Sequence, residues 1–293
     1  MNWQSDMENT LRANDPAEPF EIKNQKVNYI HKGEGAPVIL LHGIAASLHD
    51  WDELVPELAA NGYAAYALDL LGHGKSGKPF TRSYHIEWLF EHFAGWIDSL
   101  HLTQPPILCG HSLGGYLSLE YARRFPARTR GLILSNPYYR TGQLSSLLRL
   151  SYHRPHLNGL IIERTPHWMF RMIIDATSLA MGRTRGAVHH LSEKVRHQTT
   201  IDYKRTSPGV YNLPNTVGDL LPHLTDIHQN TLVIWGDHDL TLSPASFPQL
   251  VRSMPNAEGR IIPGAGHVPH QSDPQEYNRL VMEFLKSLSR LAE

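Results

Sequence analysis

Pro106-Ile107-Leu108-Cys109-Gly110-His111-Ser112-Leu113-Gly114-Gly115-Tyr116 holds the key to the fold. Ile107 to Cys109 is a short apolar run and reads as a buried strand. Helical spacing follows at Leu113, Leu117, Leu119, Tyr121 and Ala122. Between them lies Gly-His-Ser-Leu-Gly, a match to G-x-S-x-G. A strand that turns sharply into a helix crowds the side chains on both sides of the turn. Gly110 and Gly114 have no Cβ to collide there, so the Ser112 side chain is expected to stand out at the sheet edge. The Leu113 N–H then points from a helix N-terminus toward any oxyanion formed on a substrate. Taken alone, the pattern equally fits a glycine-rich turn with a bystander serine. The strand before it and the helix after it favour the nucleophile.

Outward from this turn, strand and helix alternate. Phe20–Ile22 and Val27–Ile30 read as two antiparallel strands joined by a polar turn. Val38-Ile39-Leu40-Leu41 is a continuous apolar run, as in a strand buried on both faces. A helix over Trp51–Ala60, a strand over Ala64–Leu68 and a helix over Tyr84–Leu100 follow. Beyond the central turn comes a strand at Leu132-Ile133-Leu134. After Asn136-Pro137 the alternation stops. Residues 138–225 carry helical stretches broken at Pro155, Pro166, Pro208 and Pro214, with no obvious buried strand. Alternation resumes with a strand at Thr231–Trp235, a helix near Pro248–Met254 and a strand near Arg260–Ile262. An amphipathic helix carrying Tyr277, Leu280, Val281, Phe284, Leu285 and Leu288 closes the chain. The pattern predicts an α/β fold with a mostly parallel eight-stranded sheet covered by helices. Residues 1–19 read as a loose lead-in, 20–137 and 226–293 as the core, and 138–225 as an inserted helical cap.

Bulk properties narrow the function. The 293 residues carry a net charge of −1, which argues against a general nucleic-acid binder. The lone cysteine, Cys109, excludes an internal disulfide framework and reads as a small buried hydrophobe. The polar N-terminus has no apolar signal region, and no apolar run approaches a membrane span. The cytoplasm is the expected location. The 19 histidines show no H-E-x-x-H or Cys/His spacing, so neither a metal nor a cofactor is expected. His189-His190 and the His267/His270 pair read as surface or catalytic groups. Oligomeric state is left open.

A neutral serine hydroxyl is a poor nucleophile. It needs a base to take its proton, and the base needs a group to orient it. Gly110-His111-Ser112-Leu113-Gly114-Gly115 resembles the nucleophile elbow of the α/β-hydrolase superfamily. The resemblance runs from about Phe20 to the C-terminus and is weakest in the middle third. It implies a chain order of Ser, then Asp or Glu, then His. Val233-Ile234-Trp235-Gly236-Asp237-His238-Asp239 looks like the family's W-G-x-x-D acid turn, which selects Asp239. Its competitor, Asp237, reads as a turn residue capping local N–H groups. Ile262-Pro263-Gly264-Ala265-Gly266-His267 resembles the family's G-x-G-H loop and selects His267 over His270, which reads as a surface loop histidine. Leu41-His42-Gly43-Ile44 looks like the H-G-x loop, which implies the Ile44 amide as oxyanion partner to the Leu113 amide. His42 reads as a scaffold hydrogen-bonder. Asp69 and the Gly72–Ser76 loop match the family as a structural turn, and the loop lacks the phosphate-loop pattern G-x-x-x-x-G-K-[ST]. His111, Tyr138, Trp168 and Phe170 are candidates for substrate contact.

These residues imply hydrolysis of a small carboxylic ester through an acyl-enzyme on Ser112. Thioester hydrolysis, C–C bond hydrolysis and cofactor-free perhydrolysis remain open on the same residues. A ligand receptor with a vestigial triad is the alternative outside enzymology. Ser112 speaks against dehalogenase and epoxide hydrolase relatives, which use Asp at that position. Residues 138–225 hold eleven Lys+Arg and five Asp+Glu, about +6, against about −7 for the rest. Either these charges form a solvated outer face over the cap's own apolar core, or they draw an acidic substrate or carrier toward an acyl site.

Overall fold

A computed structural model of the chain describes residues 18–22, 25–79, 83–152, 155–181 and 191–290. In chain order the strands are β1 (Glu18–Ile22), β2 (Gln25–Lys32), β3 (Ala36–Leu41), β4 (Tyr63–Asp69), β5 (Ile107–His111), β6 (Gly131–Ser135), β7 (Thr231–Gly236) and β8 (Ala257–Ile262). They form one eight-stranded sheet in the order β1-β2-β4-β3-β5-β6-β7-β8. The pairs β1–β2 and β2–β4 are antiparallel, and every pairing from β4–β3 to β7–β8 is parallel. The sheet begins at Glu18, inside the stretch expected to be a loose lead-in; residues 1–17 lie outside the described residues.

The helices are α1 (Leu54–Ala60), α2 (Ile86–Ser99), α3 (Leu113–Arg124), α4 (Ser146–Tyr152), α5 (Pro155–Arg164), α6 (His167–Met181), α7 (Glu193–Arg205), α8 (Ser246–Ser253), α9 (Pro269–Ser272) and α10 (Pro274–Arg290). Alternate strand residues feed two cores. Ile39, Leu41, Leu108, Leu134 and Val233 pack with Phe93 and Trp96 of α2, Leu117 and Tyr121 of α3 and Phe247 of α8. Val38, Leu40, Cys109, Ile133 and Ile234 pack with Leu54 and Leu58 of α1 and with Tyr277, Val281 and Leu285 of α10. Each fully buried aliphatic side chain contributes about 1.5–3 kcal/mol. Burial on both faces is why these strands read as unbroken apolar runs.

Two expected helices differ in extent. The segment over Trp51–Ala60 is a 3₁₀ turn, Leu48–Trp51, followed by α1. The Ser47 hydroxyl accepts from the His49 N–H and starts the turn early, while Pro56 sits in the first turn of α1, where no N–H is required. Helix α2 starts at Ile86 because His85 caps it, its Nδ1 accepting from the Glu87 N–H. Helices α4–α7 and three 3₁₀ turns, Thr141–Gln143, Pro208–Asn215 and Leu221–Asp226, lie between β6 and β7 among the described residues. An isolated bridge, Leu144 to Leu242, ties the start of this insertion to the loop after β7. No helix among the described residues is long and apolar enough to cross a membrane.

Candidate active site

Ser112 joins β5 to α3 with φ 50° and ψ −110°. A positive φ is costly for a non-glycine residue and persists only when neighbours fix it. Its N–H donates to the Ser135 carbonyl at 3.0 Å, and its carbonyl accepts from Tyr116 and Tyr138 N–H groups at 3.2 and 3.0 Å. Close approach explains the flanking glycines. A Cβ on Gly114 would lie 2.1 Å from the Leu41 carbonyl oxygen, and one on Gly110 2.3 Å from that of Gly114. The loop after β3 reaches the same place, since a Cβ on Gly43 would lie 3.3 Å from the Ser112 Cβ. Ile44 follows in that loop. Leu113 is the first residue of α3, so its N–H has no acceptor within the helix.

The strands β7 and β8 deliver the other groups. Asp239 Oδ2 lies 2.8 Å from His267 Nδ1 and accepts from Asn136 Nδ2 at 2.7 Å. Its Oδ1 accepts the Thr241 and Leu242 N–H groups at 2.7 and 3.0 Å. Burial pushes the Asp239 carboxyl up; the His267 imidazole and these donors outweigh it and hold the group below its ordinary value. An ionised carboxylate only accepts, so Nδ1 of His267 carries the proton and Nε2 is left as the basic nitrogen. The His267 ring lies 4.9 Å from the ring of His111, the residue next to Ser112. Asp237 stays in the turn: its Oδ1 accepts the Gly264 N–H at 2.7 Å and sits 2.8 Å from His238 Nδ1. His42 accepts the Leu70 N–H on Nε2 at 3.0 Å and bonds the Gly43 carbonyl through Nδ1 at 2.7 Å. Asp69 accepts from Leu48 N, Lys75 N and Asn28 Nδ2, which closes the structural turn.

Two histidines depart from expectation. His270 is 2% exposed and is no surface residue. The short helix α9 packs it against the 3₁₀ turn, where it stacks on Trp51 at 4.8 Å between ring centres. His111 is buried too, and its ring is engaged by the scaffold rather than offered to a substrate. Its Nε2 donates to the His267 carbonyl at 2.9 Å, and its Nδ1 faces Asp50 Oδ2 at 3.4 Å. Burial pushes its pKa down to about 4.

The other pocket candidates separate. Tyr138 is buried beside the Ser112 carbonyl, and burial raises its hydroxyl pKa to about 12. Phe170 is buried against Tyr203 at 5.2 Å. Trp168 is 65% exposed. Two surface cavities of about 270 and 230 Å³ contain none of these residues.

Sequence reasoning misses Asp50 and Asn136. The Asp50 carboxylate is buried, which opposes its ionisation; His111 and His270 hold it well below the usual carboxylate range. It also accepts from Gln271 Nε2 at 2.9 Å and the Gly43 N–H at 3.5 Å. Asp50, His111 and His270 bring one ligand atom each to within 4.8 Å of one another, a group able to hold a metal ion that no sequence spacing announces. Asn136, with φ 40°, also reaches the Gly266 carbonyl at 3.4 Å. Its signal in the sequence is the Asn-Pro pair at the end of β6. His189-His190, Arg183 and Arg185 lie outside the described residues.

Residues 36–274 match a family model described as alpha/beta hydrolase fold. The chain is 28% identical over 270 residues to a 2-hydroxy-6-oxononadienedioate/2-hydroxy-6-oxononatrienedioate hydrolase of Paraburkholderia xenovorans, covering 89% of this chain and 90% of that one. It is 27% identical over 290 residues to epoxide hydrolase 3 of Xenopus tropicalis, covering 89% and 75%. Its fold is similar to that of a thermophilic esterase from Thermogutta terrifontis, with a TM-score of 0.75 and 22% identity over 94% of this chain and 98% of the other.

Proposed function

Because the chain belongs to the α/β-hydrolase fold family, we propose that it is a serine hydrolase cleaving small carboxylic esters through an acyl-enzyme on Ser112. The observation that carries this reading is the 2.8 Å pair of buried Asp239 and half-buried His267, whose ring lies 4.9 Å from that of His111, the residue before Ser112. His267 Nε2 takes the Ser112 proton as Oγ attacks the acyl carbonyl. The Leu113 and Ile44 amides receive the oxyanion, each worth about 3 kcal/mol in such sites. The alcohol leaves with the proton from His267, and water activated by the same ring releases the acid. The helices over 138–225 act as the cap above this centre. Epoxide opening does not suit a serine. Attack by Oγ on an epoxide carbon would leave an alkyl ether, which the oxyanion and base cannot hydrolyse, whereas a carboxylate nucleophile leaves an ester.

C–C bond hydrolysis is the second reading, supported by the named activity of the Paraburkholderia relative along 90% of its length. Purified protein tests both. A fluorophosphonate probe should label Ser112, and Ser112→Ala should abolish turnover while leaving the melting temperature unchanged. Faster turnover of p-nitrophenyl esters than of a vinylogous diketone acid supports ester hydrolysis; the reverse order supports C–C cleavage. Labelling at another residue overturns the serine assignment.

A further inference from the structure

Three buried side chains converge beside the loop that carries His267. Asp50 comes from the 3₁₀ turn Leu48–Trp51, His111 from the end of β5 and His270 from α9, and they are 8%, 3% and 2% exposed. Asp50 Oδ2 lies 3.4 Å from His111 Nδ1 and 3.9 Å from His270 Nε2. One ligand atom from each residue lies within 4.8 Å of the other two. A neutral imidazole has one N–H and one lone pair. On His111 the N–H is spent, because a carbonyl only accepts and Nε2 donates to that of His267 at 2.9 Å. Its Nδ1 is then a lone pair, and it faces a carboxylate oxygen that also only accepts. Neither His111 Nδ1 nor His270 Nε2 has a hydrogen-bond partner among the described residues. Buried acceptors aimed at one point repel unless a positive centre lies between them. One added proton would join Asp50 to one ring and leave the nitrogen of the other unpaired.

The outer contacts are those of a metal centre. A histidine that binds a metal through one nitrogen gives its other N–H to an oxygen, which fixes the tautomer. His111 Nε2 meets the His267 carbonyl in this way, and His270 Nδ1 lies 3.4 Å from Ser135 Oγ. Asp50 Oδ1 accepts from Gln271 Nε2 at 2.9 Å, while Oδ2 faces the two rings and receives only the long 3.5 Å contact from the Gly43 N–H. Two imidazoles and one carboxylate suit a first-row divalent ion, zinc above all; calcium and magnesium take oxygen ligands. Zinc bonds of about 2.0–2.1 Å hold tetrahedral ligand atoms about 3.3 Å apart. The Asp50–His111 pair already has that spacing, and His270 closes on it by a small movement of its ring. We propose that Asp50, His111 and His270 form a zinc site. The ion joins the turn before α1, the nucleophile strand and the helix after His267, so it braces the frame of the active site. This proposal does not depend on which bond the active site cleaves.

The full chain, freed of metal by a chelator, is titrated with zinc against a chromophoric competitor. The expected result is one equivalent bound with a dissociation constant below about 1 μM. The melting temperature should rise by at least about 3 °C in excess zinc. His270→Gln should lower zinc affinity by at least about tenfold, with circular dichroism showing that the variant is folded. The neighbouring pair His189-His190 supplies the control, and His189→Gln with His190→Gln should leave the affinity unchanged. X-ray absorption at the zinc edge of the unmodified protein needs no variant. It should show two imidazoles and a carboxylate oxygen at about 2.0–2.1 Å. Absence of zinc binding near 1 μM, about the expected dissociation constant, overturns the proposal, as does full affinity in folded His270→Gln. So does a zinc shell with fewer than two imidazoles, or loss of affinity in the His189 and His190 variant, either of which would mark an adventitious ion only.

Discussion

At the scale of single residues, Asp239 and Asp237 make the sharpest contrast. Both lie in one turn, but only Asp239 is buried and bonded to His267 Nδ1. Asp239→Asn keeps the shape and loses the acceptor that sets the ring's tautomer, so kcat for an ester should fall by about 10⁴-fold. Asp237→Asn should leave kcat within about threefold, costing at most about 1 kcal/mol for a weakened turn bond. Steady-state kinetics on the two variants decide it; the reverse order assigns the acid to Asp237. The Asp239–His267 pairing is legible in sequence through the resemblance of W-G-x-x-D and G-x-G-H to the family's turns, each at the end of one of two neighbouring strands. The cluster behind it is not. Asp50, His111 and His270 come from the 3₁₀ turn Leu48–Trp51, the end of β5 and helix α9, far apart in sequence, and each looks ordinary in its own window. One Asp50 oxygen receives the Gly43 N–H and faces His111, whose other nitrogen holds the His267 carbonyl. The carboxylate thus links the loop after β3 to the loop that carries His267. Asp50→Asn should lower kcat more than about tenfold with KM nearly unchanged, beyond a stability loss of about 3–5 kcal/mol for breaking a buried charge cluster. A lower melting temperature with unaltered kcat would leave Asp50 a purely structural residue.

At the scale of elements, helix α7 meets the loop after β3 and the turn that follows it, through Asp202 and through Lys194, which lies 3.4 Å from Asp52. Its Asp202 is buried, accepts from Gln198 Nε2 at 2.9 Å and is also bonded by the Ser47 side chain. Burial raises the Asp202 pKa to about 7. The folded protein therefore holds a proton there that the unfolded chain releases near pH 4. Stability from this group is complete below pH 4 and is lost progressively as pH rises to about 7. Three pKa units correspond to at most about 4 kcal/mol. Asp202→Asn keeps the neutral shape at every pH. Its melting temperature relative to the unmodified protein should rise between pH 5 and pH 7 and level off above. A constant offset across that range would show that Asp202 ionises freely. Sequence reading finds helical stretches over 138–225 and the breakers Pro155, Pro166, Pro208 and Pro214, because breakers are local, but not the bounds of the single helices. It does not say which helical face is covered. Trp168, Met169 and Met172 have core composition yet face water, and only the packing of Phe170 and Arg171 on the other side reveals it.

At the scale of the whole molecule, charge is divided unequally along the chain. The insertion at 138–225 carries about +6 and the remainder about −7, although the total is only −1. A sheet with short strand-end loops gathers Ser112, Asp239 and His267 at one edge, and the basic insertion follows β6 at that same edge. A net field of this kind raises the encounter rate of anions with the site and leaves neutral ligands unaffected. Its range shrinks to about 8–10 Å at physiological salt, so its contribution is read from salt dependence. For a carboxylate-bearing ester, kcat/KM should fall more steeply between 20 and 300 mM salt than for its neutral isostere, by about three- to tenfold over that range. Charge reversal at exposed Arg164 and Lys194 should flatten the slope for the carboxylate ester only, since neither residue touches Ser112, Asp239 or His267. The neutral ester serves as the internal control for general salt effects on the protein. Equal slopes for the two esters in the unmodified protein would mean that the basic insertion does not steer substrate, and that its charge serves the outer surface alone.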